Sequence, residues 1–344
     1  MVFSPRQKKN FNKSLKASYK LNRCMSGTDP GIKTNLHLFD HTIKSIILYG
    51  SEIWGMFKTD SAPCKKNVIN IFEKIYENNI ADKINLKFCK YILGVNSKSS
   101  NIAVMSEIGR FPMYFNIISS MLCYLHRLYH FSSDLLKDAF LCCKNMHKNN
   151  IQTWYSSAKF LLEKLELAES VFQDCSIFKI KGLIMEKLKS LFIKAWFHEK
   201  DNAFGKLDTY FSFKNCFQKE KYLDSTNFQL RKIICKFRIS SHNLRVETER
   251  HKSKPLDRPL RTCKFCTQTD IENEIHFLTK CPFYQSTRID LYTSVINRCP
   301  SFKDLDDIAK FSWLMSCEDL EVIEKLGNFL IQSFSQRLEK IKEG

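Results

Sequence analysis

Apolar residues recur along most of this chain at the three- to four-residue spacing of amphipathic helices. In residues 5–25, for example, Phe11, Leu15 and Tyr19 lie on one side of a helix and lysines occupy the others. The pattern predicts helices over residues 5–25, 36–57, 69–77, 82–94, 100–108, 112–131, 133–148, 153–168, 178–200, 226–245, 284–297, 302–311 and 318–342. No convincing run of alternating strand pattern accompanies them. The predicted fold class is a mainly α multi-helix array with a small irregular module near residue 270.

Three segments interrupt the helical pattern. Residues 58–67 are polar and contain a proline, which favours a linker, and residues 201–210 predict a second break. Residues 246–262 contain two prolines and predict an extended basic arm. The chain is thereby predicted to comprise residues 1–60, a helical domain at 61–222, a basic helix, arm and irregular module at 223–300, and C-terminal helices at 301–344.

The composition agrees with a helical, folded protein. Glycine accounts for 10 of 344 residues and proline for 8, whereas globular proteins average about 7% and 5%. Scarcity of both residues favours long helices over strands joined by tight turns. Apolar residues make up 44% of the chain, which is enough to form buried cores.

Three cysteines and one histidine form the pattern Cys-x2-Cys-x9-His-x4-Cys, at Cys263, Cys266, His276 and Cys281. Three thiolates and an imidazole fill a tetrahedral zinc shell and leave no position for a catalytic water. The pattern predicts a structural Zn²⁺ site whose binding energy contributes to local folding. The alternative is that a chain with 14 cysteines places four such side chains together by chance, with the thiols reduced and free of metal.

Positive charge is concentrated in two segments. Of the net charge of +18, residues 1–23 contribute +7, residues 227–262 contribute +7, and the other 285 residues contribute +4. Clustering favours a polyphosphate partner, because each neutralised phosphate releases counterions. The predicted partner is RNA or DNA held through its phosphates, and the expected contacts are Lys8, Lys9, Lys13, Lys16, Arg250, Lys252, Lys254, Arg258 and Arg261. A general solubilising charge excess is the alternative.

No group of residues predicts an active site. Asp306 and Asp307 are adjacent, as in two-metal polymerase sites, but they stand at a predicted helix start, where acids stabilise the first turn. His126 and His130 lack the glutamate that a zinc protease places between two such histidines. Glu272 and Glu274 lie beside the motif's histidine, without an evident open metal site to serve. The chain alone is not expected to be an enzyme.

The compartment follows from the cysteines and the apolar runs. The longest uncharged run, between Arg110 and Arg127, has 16 residues, fewer than the roughly 20 apolar residues of a membrane span. The first residues show no signal-peptide core. Reduced thiols in an intracellular compartment, nucleus or cytoplasm, are therefore expected.

Four stretches resemble, in order, the C-terminal part of the endonuclease–reverse transcriptase of LINE-type (non-LTR) retrotransposons. They are IILYGSEIWG at 46–55; FCKYILGV at 88–95 with EIGRFP at 107–112; RISSHNL at 238–244 with ETER at 247–250; and the cysteine motif at 263–284 with Arg288. The resemblance extends from about residue 3 to residue 290. Glu249 departs from it, since the family usually has glycine there.

This resemblance implies that residues 1–60 correspond to the thumb, which grips the template–primer duplex, and that the basic arm and zinc module hold RNA or target DNA. The family's catalytic aspartates lie in a palm upstream of the residues present here. The expected function is therefore nucleic-acid binding without a polymerase or endonuclease active site.

Two alternatives stay open. The aromatic residues Phe265, Phe277, Phe283 and Tyr284 are expected either to pack around the zinc site or to stack on unpaired bases. The other function considered is an α-helical interaction scaffold with a structural zinc site, whose helices 112–131, 178–200 and 318–342 pack against a protein partner.

Overall fold

The computed structural model describes residues 5–55, 79–169, 172, 175–203, 206–225 and 227–343, with side chains from Lys9 onward. The helix predicted at 69–77 and the linker predicted at 58–67 lie outside these residues. Within them helices predominate, and pairing of extended backbone is limited to two isolated antiparallel bridges, Ile108–Lys219 and Thr262–Ile271. The predicted mainly α fold is confirmed.

The helices follow one another closely along the chain. In order they are α1 (Pro5–Met25), α2 (Gly31–Phe39), α3 (Ser45–Leu48), α4 (Ser51–Trp54), α5 (Ile80–Leu93), α6 (Asn101–Ile108), α7 (Tyr114–His130), α8 (Asp134–Lys148), α9 (Trp154–Lys164), α10 (Ile177–Asp201), α11 (Lys206–Phe211), α12 (Phe228–Arg238), α13 (Arg245–Thr248), α14 (Gln285–Arg298), α15 (Asp307–Ser316) and α16 (Leu320–Glu343). Short 3₁₀ turns occupy Lys221–Asp224, Glu249–His251, Arg258–Leu260, Pro282–Tyr284 and Pro300–Asp304, and π turns occupy Asp40–Lys44 and His276–Lys280. No helix in the described ranges is long and apolar enough to cross a membrane.

The chain forms two compact units that alternate along the sequence. The first unit comprises residues 1–28, 35–88 and 111–199, and the second comprises 29–34, 89–110 and 200–344. The four predicted segments have other limits, at residues 60, 222 and 300. Residues 89–110 belong with the C-terminal part because Glu107 forms a buried ion pair with Arg238, an interaction that no local pattern indicates.

Helix α7 lies at the centre of the first unit, and its apolar side chains, including Ile118, Met121 and Leu125, are fully buried. Its N-terminus is capped from α5, because the buried carboxylate of Asp82 accepts hydrogen bonds from the amides of Met113 (2.6 Å) and Tyr114 (3.2 Å). A carboxylate here satisfies amides that have no partner within the helix and complements the helix dipole. The core of this unit is thus fixed by a buried acid as well as by apolar packing.

In the second unit, α12 packs closely against α16. A Cβ added at Gly327 would lie 2.5 Å from Leu230 Cδ2, so a larger residue here would require the Leu230 side chain to shift. The aromatic rings of Phe237, Phe277 and Phe311 complete the core that the two helices share with their neighbours. This core supports the cysteine motif from one side.

The structure departs from the sequence pattern at several places. The helix predicted over 36–57 is interrupted at Gly50, which is left-handed with φ of 72°. The helix predicted over 302–311 is divided into the 3₁₀ turn Pro300–Asp304 and α15. The helix predicted over 226–245 ends at Arg238, because Ser240 adopts a left-handed conformation with φ of 53°. The break predicted at 201–210 is shorter, since Lys206–Phe211 is helical. The arm predicted to be extended over 246–262 contains most of α13 and two 3₁₀ turns.

The prediction for the paired aspartates is confirmed. Asp306 is the N-cap of α15, and its carboxylate accepts a hydrogen bond of 2.7 Å from the amide of Ala309. Asp307 is the first residue of the helix. Both acids are accounted for by capping and the helix dipole.

Candidate metal centre and basic arm

The four predicted ligands converge. Cys263, Cys266, His276 and Cys281 each offer one ligand atom, and these four atoms lie within 4.8 Å of one another. A tetrahedral shell with metal–sulfur bonds of about 2.3 Å and a metal–nitrogen bond of about 2.0 Å requires S–S separations near 3.8 Å and S–N separations near 3.5 Å. The Sγ atoms of Cys263 and Cys281 are 3.9 Å apart, and Cys266 Sγ is 3.5 Å from His276 Nε2. The cluster therefore fits a single metal ion.

A short hairpin positions the first two ligands. Thr262 and Ile271 form an antiparallel bridge, and the amide of Cys263 donates to the carbonyl of Asp270 at 2.9 Å. The bridge closes the loop that contains Cys266, so both thiols point to the same side. The spacing Cys-x2-Cys thus acts as a knuckle held at its base by backbone hydrogen bonds.

A π turn positions the other two ligands. His276–Lys280 contains the wide i→i+5 hydrogen bond, in which the amide of Cys281 donates to the carbonyl of His276 at 2.8 Å. This turn brings residues five apart onto one side, which explains the x4 gap between His276 and Cys281. Asn273 accepts from the amide of His276 at 2.8 Å and starts the turn. The carboxylate of Asp270 lies 3.5 Å from His276 Nδ1, on the side of the ring away from Cys266.

Arg288 closes the turn from its other end. Its buried guanidinium donates to the carbonyls of Leu278 (2.8 Å), Cys281 (2.9 Å) and Phe277 (3.2 Å). These three carbonyls lie around the π turn and its end, where the regular helical hydrogen bonds are disrupted. Arg288 therefore orients the backbone that supports the fourth ligand.

A hydrogen bond couples the thiols of Cys263 and Cys281. A hydrogen bond with Cys281, together with burial, raises the pKa of Cys263 to about 12. The same hydrogen bond lowers the pKa of Cys281. A bound cation replaces the thiol protons, so metal uptake at this cluster releases them to solvent.

Two glutamates that the sequence left without a role fasten this module to the rest of the second unit. The buried carboxylate of Glu272 accepts hydrogen bonds from both terminal guanidinium nitrogens of Arg337 in α16, one at 3.0 Å. It also accepts one from the amide of Arg245 at 2.9 Å. Glu274 accepts from Ser240 at 2.6 Å and from His242 at 2.8 Å. In the sequence only the alternation Glu-x-Glu marks these two residues, and it predicts neither the partner of Glu272 nor those of Glu274.

The surroundings of Glu274 favour its ionised form. Burial by itself raises its pKa, but His242 and Ser240 outweigh burial and lower the pKa to about 2. The amide of Leu244 lies 3.3 Å from His242 Nδ1, and the other ring nitrogen, Nε2, lies 2.8 Å from the Glu274 carboxylate. The left-handed Ser240 is what brings both donors to one carboxylate.

The aromatic residues of the motif divide into two pairs. Phe277 and Tyr284 are buried, with ring centroids 4.5 Å apart, and belong to the core. Phe265 and Phe283 are half-buried, with centroids 5.4 Å apart, and the guanidinium of Arg337 lies 4.5 Å from the centre of the Phe265 ring. Packing therefore accounts for the first pair, and the second keeps an accessible edge beside the ligands.

Residues 250–261 of the basic arm form a folded loop, and Arg261 holds the base of this loop. Arg261 is buried and donates to the carbonyl of Leu256 at 2.6 and 2.8 Å and to that of Val246 at 2.8 Å. Backbone carbonyls engage its guanidinium, so Arg261 has a structural role in this fold, and a phosphate contact of Arg261 stays a prediction.

The other predicted arm residues are accessible. Lys254 and Arg258 are exposed, and neither forms an ion pair with an acid in the described part of the chain. Lys252 is exposed and lies 2.9 Å from Glu249, and Arg250 is half-buried and lies 3.3 Å from Glu247. The arm thus presents two cations without acidic partners and two that share nearby carboxylates.

Helix α1 carries a second cationic surface, defined by Lys9, Lys13, Lys16 and Lys20. These four lysines are exposed, and their spacing of four, three and four residues places them on one side of the helix. Phe11, Ser14 and Ser18 are buried on the other side. The side chain of Lys8 lies outside the described residues.

Part of the positive charge counted in the sequence is internal. Arg238 is buried and binds both oxygens of Glu107, at 2.9 and 3.1 Å, and Glu220 at 2.8 Å. Arg231 is also buried and pairs with Asp29. With Arg261, three arginines of the second basic segment serve the fold, so the exposed charge there is smaller than the sequence suggests.

Comparison of this chain with protein-family models, with curated proteins and with solved structures gives no match.

Proposed function

We propose that this protein binds RNA or DNA through phosphate contacts made by the basic arm and by the lysines of α1. The observation that carries the proposal is the pair Lys254 and Arg258, exposed on a loop that is braced by Arg261 beside the candidate metal centre. A braced loop holds its cations in place before a ligand arrives, so less conformational entropy is lost on binding. Phosphate contacts of this kind position a nucleic acid without reading its sequence.

We further propose that the metal is Zn²⁺ and that its role is structural. Thiolate and imidazole donors in a closed four-ligand shell suit Zn²⁺ and leave no open coordination position for catalysis. When bound, the ion would tie the hairpin to the π turn. Since the arm ends at the same hairpin, the metal would also fix the base of the arm.

We infer an origin in the C-terminal part of a non-LTR retrotransposon reverse transcriptase, on the basis of the four sequence stretches. The support is that the characteristic residues of neighbouring stretches contact one another: Glu107 with Arg238, and His242 with Glu274. Residues that define a family signature are expected to have partners of this kind. In this account the chain acts as a nucleic-acid holder and has no polymerase or endonuclease site.

The test is a salt titration of binding by zinc-loaded protein, with labelled single-stranded RNA and duplex DNA as separate ligands. We expect the logarithm of the association constant to fall linearly with the logarithm of salt concentration, with a slope of several units. The tighter ligand then distinguishes RNA holding from target-DNA docking. Absence of binding at low salt to either ligand would contradict the proposal.

A further inference from the structure

Five places in the chain carry an arginine three residues before a serine or threonine. They are Arg23 with Ser26, Arg238 with Ser241, Arg245 with Thr248, Arg250 with Ser253, and Arg298 with Ser301. Serine/threonine kinases with acidic substrate clefts take hydroxyls in this pattern, because their carboxylates bind the arginine and so position the hydroxyl. Phosphoryl transfer also requires a free hydroxyl on a backbone segment that can enter the cleft. The pattern alone does not distinguish the five hydroxyls, but their surroundings in the fold do.

Two of the five hydroxyls lie at helical turns. Ser26 follows the last turn of α1, and its hydroxyl donates to the carbonyl of Arg23 at 2.7 Å. Ser301 belongs to a 3₁₀ turn, and Arg298 before it pairs with Asp319 at 3.0 Å. A kinase would have to unwind the turn at Ser26 and to displace a carboxylate from Arg298. Neither place therefore combines a free arginine with a free hydroxyl.

Two further hydroxyls follow arginines that the fold engages. Arg238 is buried, and the hydroxyl of Ser241 accepts from the amide of Asn96 at 3.1 Å. Thr248 is exposed but is the last residue of α13, and Arg245 is half-buried and donates to a backbone carbonyl at 2.7 Å. Both arginines are therefore unavailable to a carboxylate of another protein.

Ser253 differs from these four because it lies free in the middle of the basic arm. It is exposed, and its hydroxyl forms no hydrogen bond within the described part of the chain. The amides of Ser253 and Lys254 also have no backbone partner among the described residues. The backbone at Lys252 is extended, with φ of −70° and ψ of 158°. This segment can therefore enter a cleft without losing internal hydrogen bonds.

Basic residues surround Ser253 on both sides in the sequence. Arg250, His251 and Lys252 precede it, and Lys254 follows it. Arg250 keeps 32% of its side-chain surface exposed, and its one ion pair, with Glu247, spans 3.3 Å. A carboxylate of a kinase can replace that single contact. The charge around Ser253 is thus complementary to an acidic substrate cleft.

We propose that Ser253 is a phosphorylation site for a basic-directed serine kinase, and that its phosphate weakens nucleic-acid binding by the basic arm. The Oγ of Ser253 attacks the γ-phosphorus of ATP, the bond from that phosphorus to the bridging oxygen of the β-phosphate breaks, and ADP leaves. The hydroxyl proton passes to the catalytic aspartate of the kinase. The site itself is independent of the proposed function, whereas the effect on binding rests on it.

Phosphate at Ser253 is expected to change the charge of the arm more than its fold. A phosphoserine carries a charge of about −1.5 to −2 at pH 7. It supplies an acidic group next to Lys254, which has no acidic partner in the described part of the chain. Arg261 holds the base of the loop through backbone carbonyls, and these contacts do not involve Ser253. We therefore expect weaker contacts with nucleic-acid phosphates and an unchanged free energy of unfolding.

The first test is phosphorylation of the full-length, zinc-loaded protein by the catalytic fragment of protein kinase C with ATP and Mg²⁺. Mass spectrometry of the intact chain gives the number of phosphates, and mass spectrometry of its peptides gives their positions. We expect the main phosphate at Ser253 and a loss of most incorporation in Ser253→Ala. Ser26→Ala is the matched control, because Ser26 is exposed and follows the same pattern but its hydroxyl is held. Absence of phosphate from the wild type, or incorporation that Ser253→Ala leaves unchanged, would overturn the proposal.

The second test determines whether Arg250 directs the kinase. We expect Arg250→Gln to slow the incorporation of phosphate at Ser253 and Arg250→Lys to retain most of the rate. Arg298→Gln is the control, because Arg298 lies outside the arm and pairs with Asp319. Equal rates for Arg250→Gln and the wild type would contradict recognition through the basic residue.

The third test compares salt titrations of nucleic-acid binding before and after phosphorylation. We expect phosphorylation to lower the log–log slope by about one to two, and kinase-treated Ser253→Ala to keep the wild-type slope. Equal slopes before and after phosphorylation would overturn the effect on binding. If the unphosphorylated protein binds neither RNA nor duplex DNA, the proposed function fails and the effect on binding fails with it. The assignment of Ser253 as a phosphorylation site is decided by the first test alone.

Discussion

Both carboxylate oxygens of Glu107 receive hydrogen bonds from the guanidinium of Arg238, at 2.9 and 3.1 Å, in a site that solvent does not reach. The two residues are 131 positions apart in the chain. Tyr210 and Tyr222 donate to the same two oxygens, at 2.9 and 2.5 Å. A buried charge satisfied this completely is stable only while every partner is present.

Removing the cation is therefore expected to be costly. Arg238→Met leaves the Glu107 carboxylate buried beside two hydroxyls, and we expect a loss of about 3–5 kcal/mol in the free energy of unfolding. The measurement is the free energy of unfolding of the second unit, obtained by urea denaturation. The control is Lys340→Met, which breaks the exposed pair with Glu343 in the same unit and should change stability by less than about 1 kcal/mol. If the two substitutions lower the free energy of unfolding equally, the buried pair contributes no more to stability than an exposed pair.

The same site predicts how stability depends on pH. Burial alone raises the pKa of Glu107, but Arg238, Lys214 and Tyr222 outweigh it, so the folded-state pKa lies below the ordinary value of 4.5. A depressed carboxyl pKa contributes stability that is complete above the unfolded-state pKa and is lost as pH falls through the folded-state pKa. We expect Glu107→Gln to be less stable than wild type at neutral pH and to lose stability less steeply below pH 4.5. Parallel curves for the two proteins would exclude this contribution.

Removal of one predicted metal ligand is expected to unfold the module that contains Cys263, Cys266, His276 and Cys281, rather than to abolish a catalytic activity. We expect native mass spectrometry to detect one Zn²⁺ per chain in wild type and none in Cys266→Ser, and we expect protease cleavage within residues 255–290 to increase in the variant. Cys216→Ser is the control, because Cys216 is an exposed thiol outside the cluster. Retention of both the ion and the protease resistance in Cys266→Ser would contradict the structural role.

The sequence predicts the helices and the metal ligands because both depend on local spacing. The apolar period defines α7, α8 and α16 within a few residues, and the knuckle Cys-x2-Cys fixes its own geometry. Cys281, the fourth predicted ligand, is positioned by the π turn at His276–Lys280. No residue preference predicts this turn, but the spacing between His276 and Cys281 was sufficient to identify Cys281 as a ligand.

The sequence alone does not identify side-chain partners that lie far apart along the chain. Counting charges cannot separate Arg238 and Arg261, which are buried, from Arg258, which is exposed. The predicted helix over 226–245 failed at Ser240 because the Glu274 carboxylate, 34 residues away, rewards a left-handed turn there. At Ser240 a buried hydrogen bond to a residue in another segment outweighs the helix propensity of the local sequence.

The central claim is that the exposed cations of the basic arm bind phosphate, and charge reversal tests it most directly. The measurement compares salt titrations of nucleic-acid binding for wild type, Lys254→Glu/Arg258→Glu and the matched control Lys179→Glu/Lys181→Glu, whose two exposed lysines lie on α10 outside both basic segments. We predict that the arm variant lowers the log–log slope by about two and weakens binding at low salt, while the control retains the wild-type slope. Equal slopes for the arm variant and wild type would contradict the account.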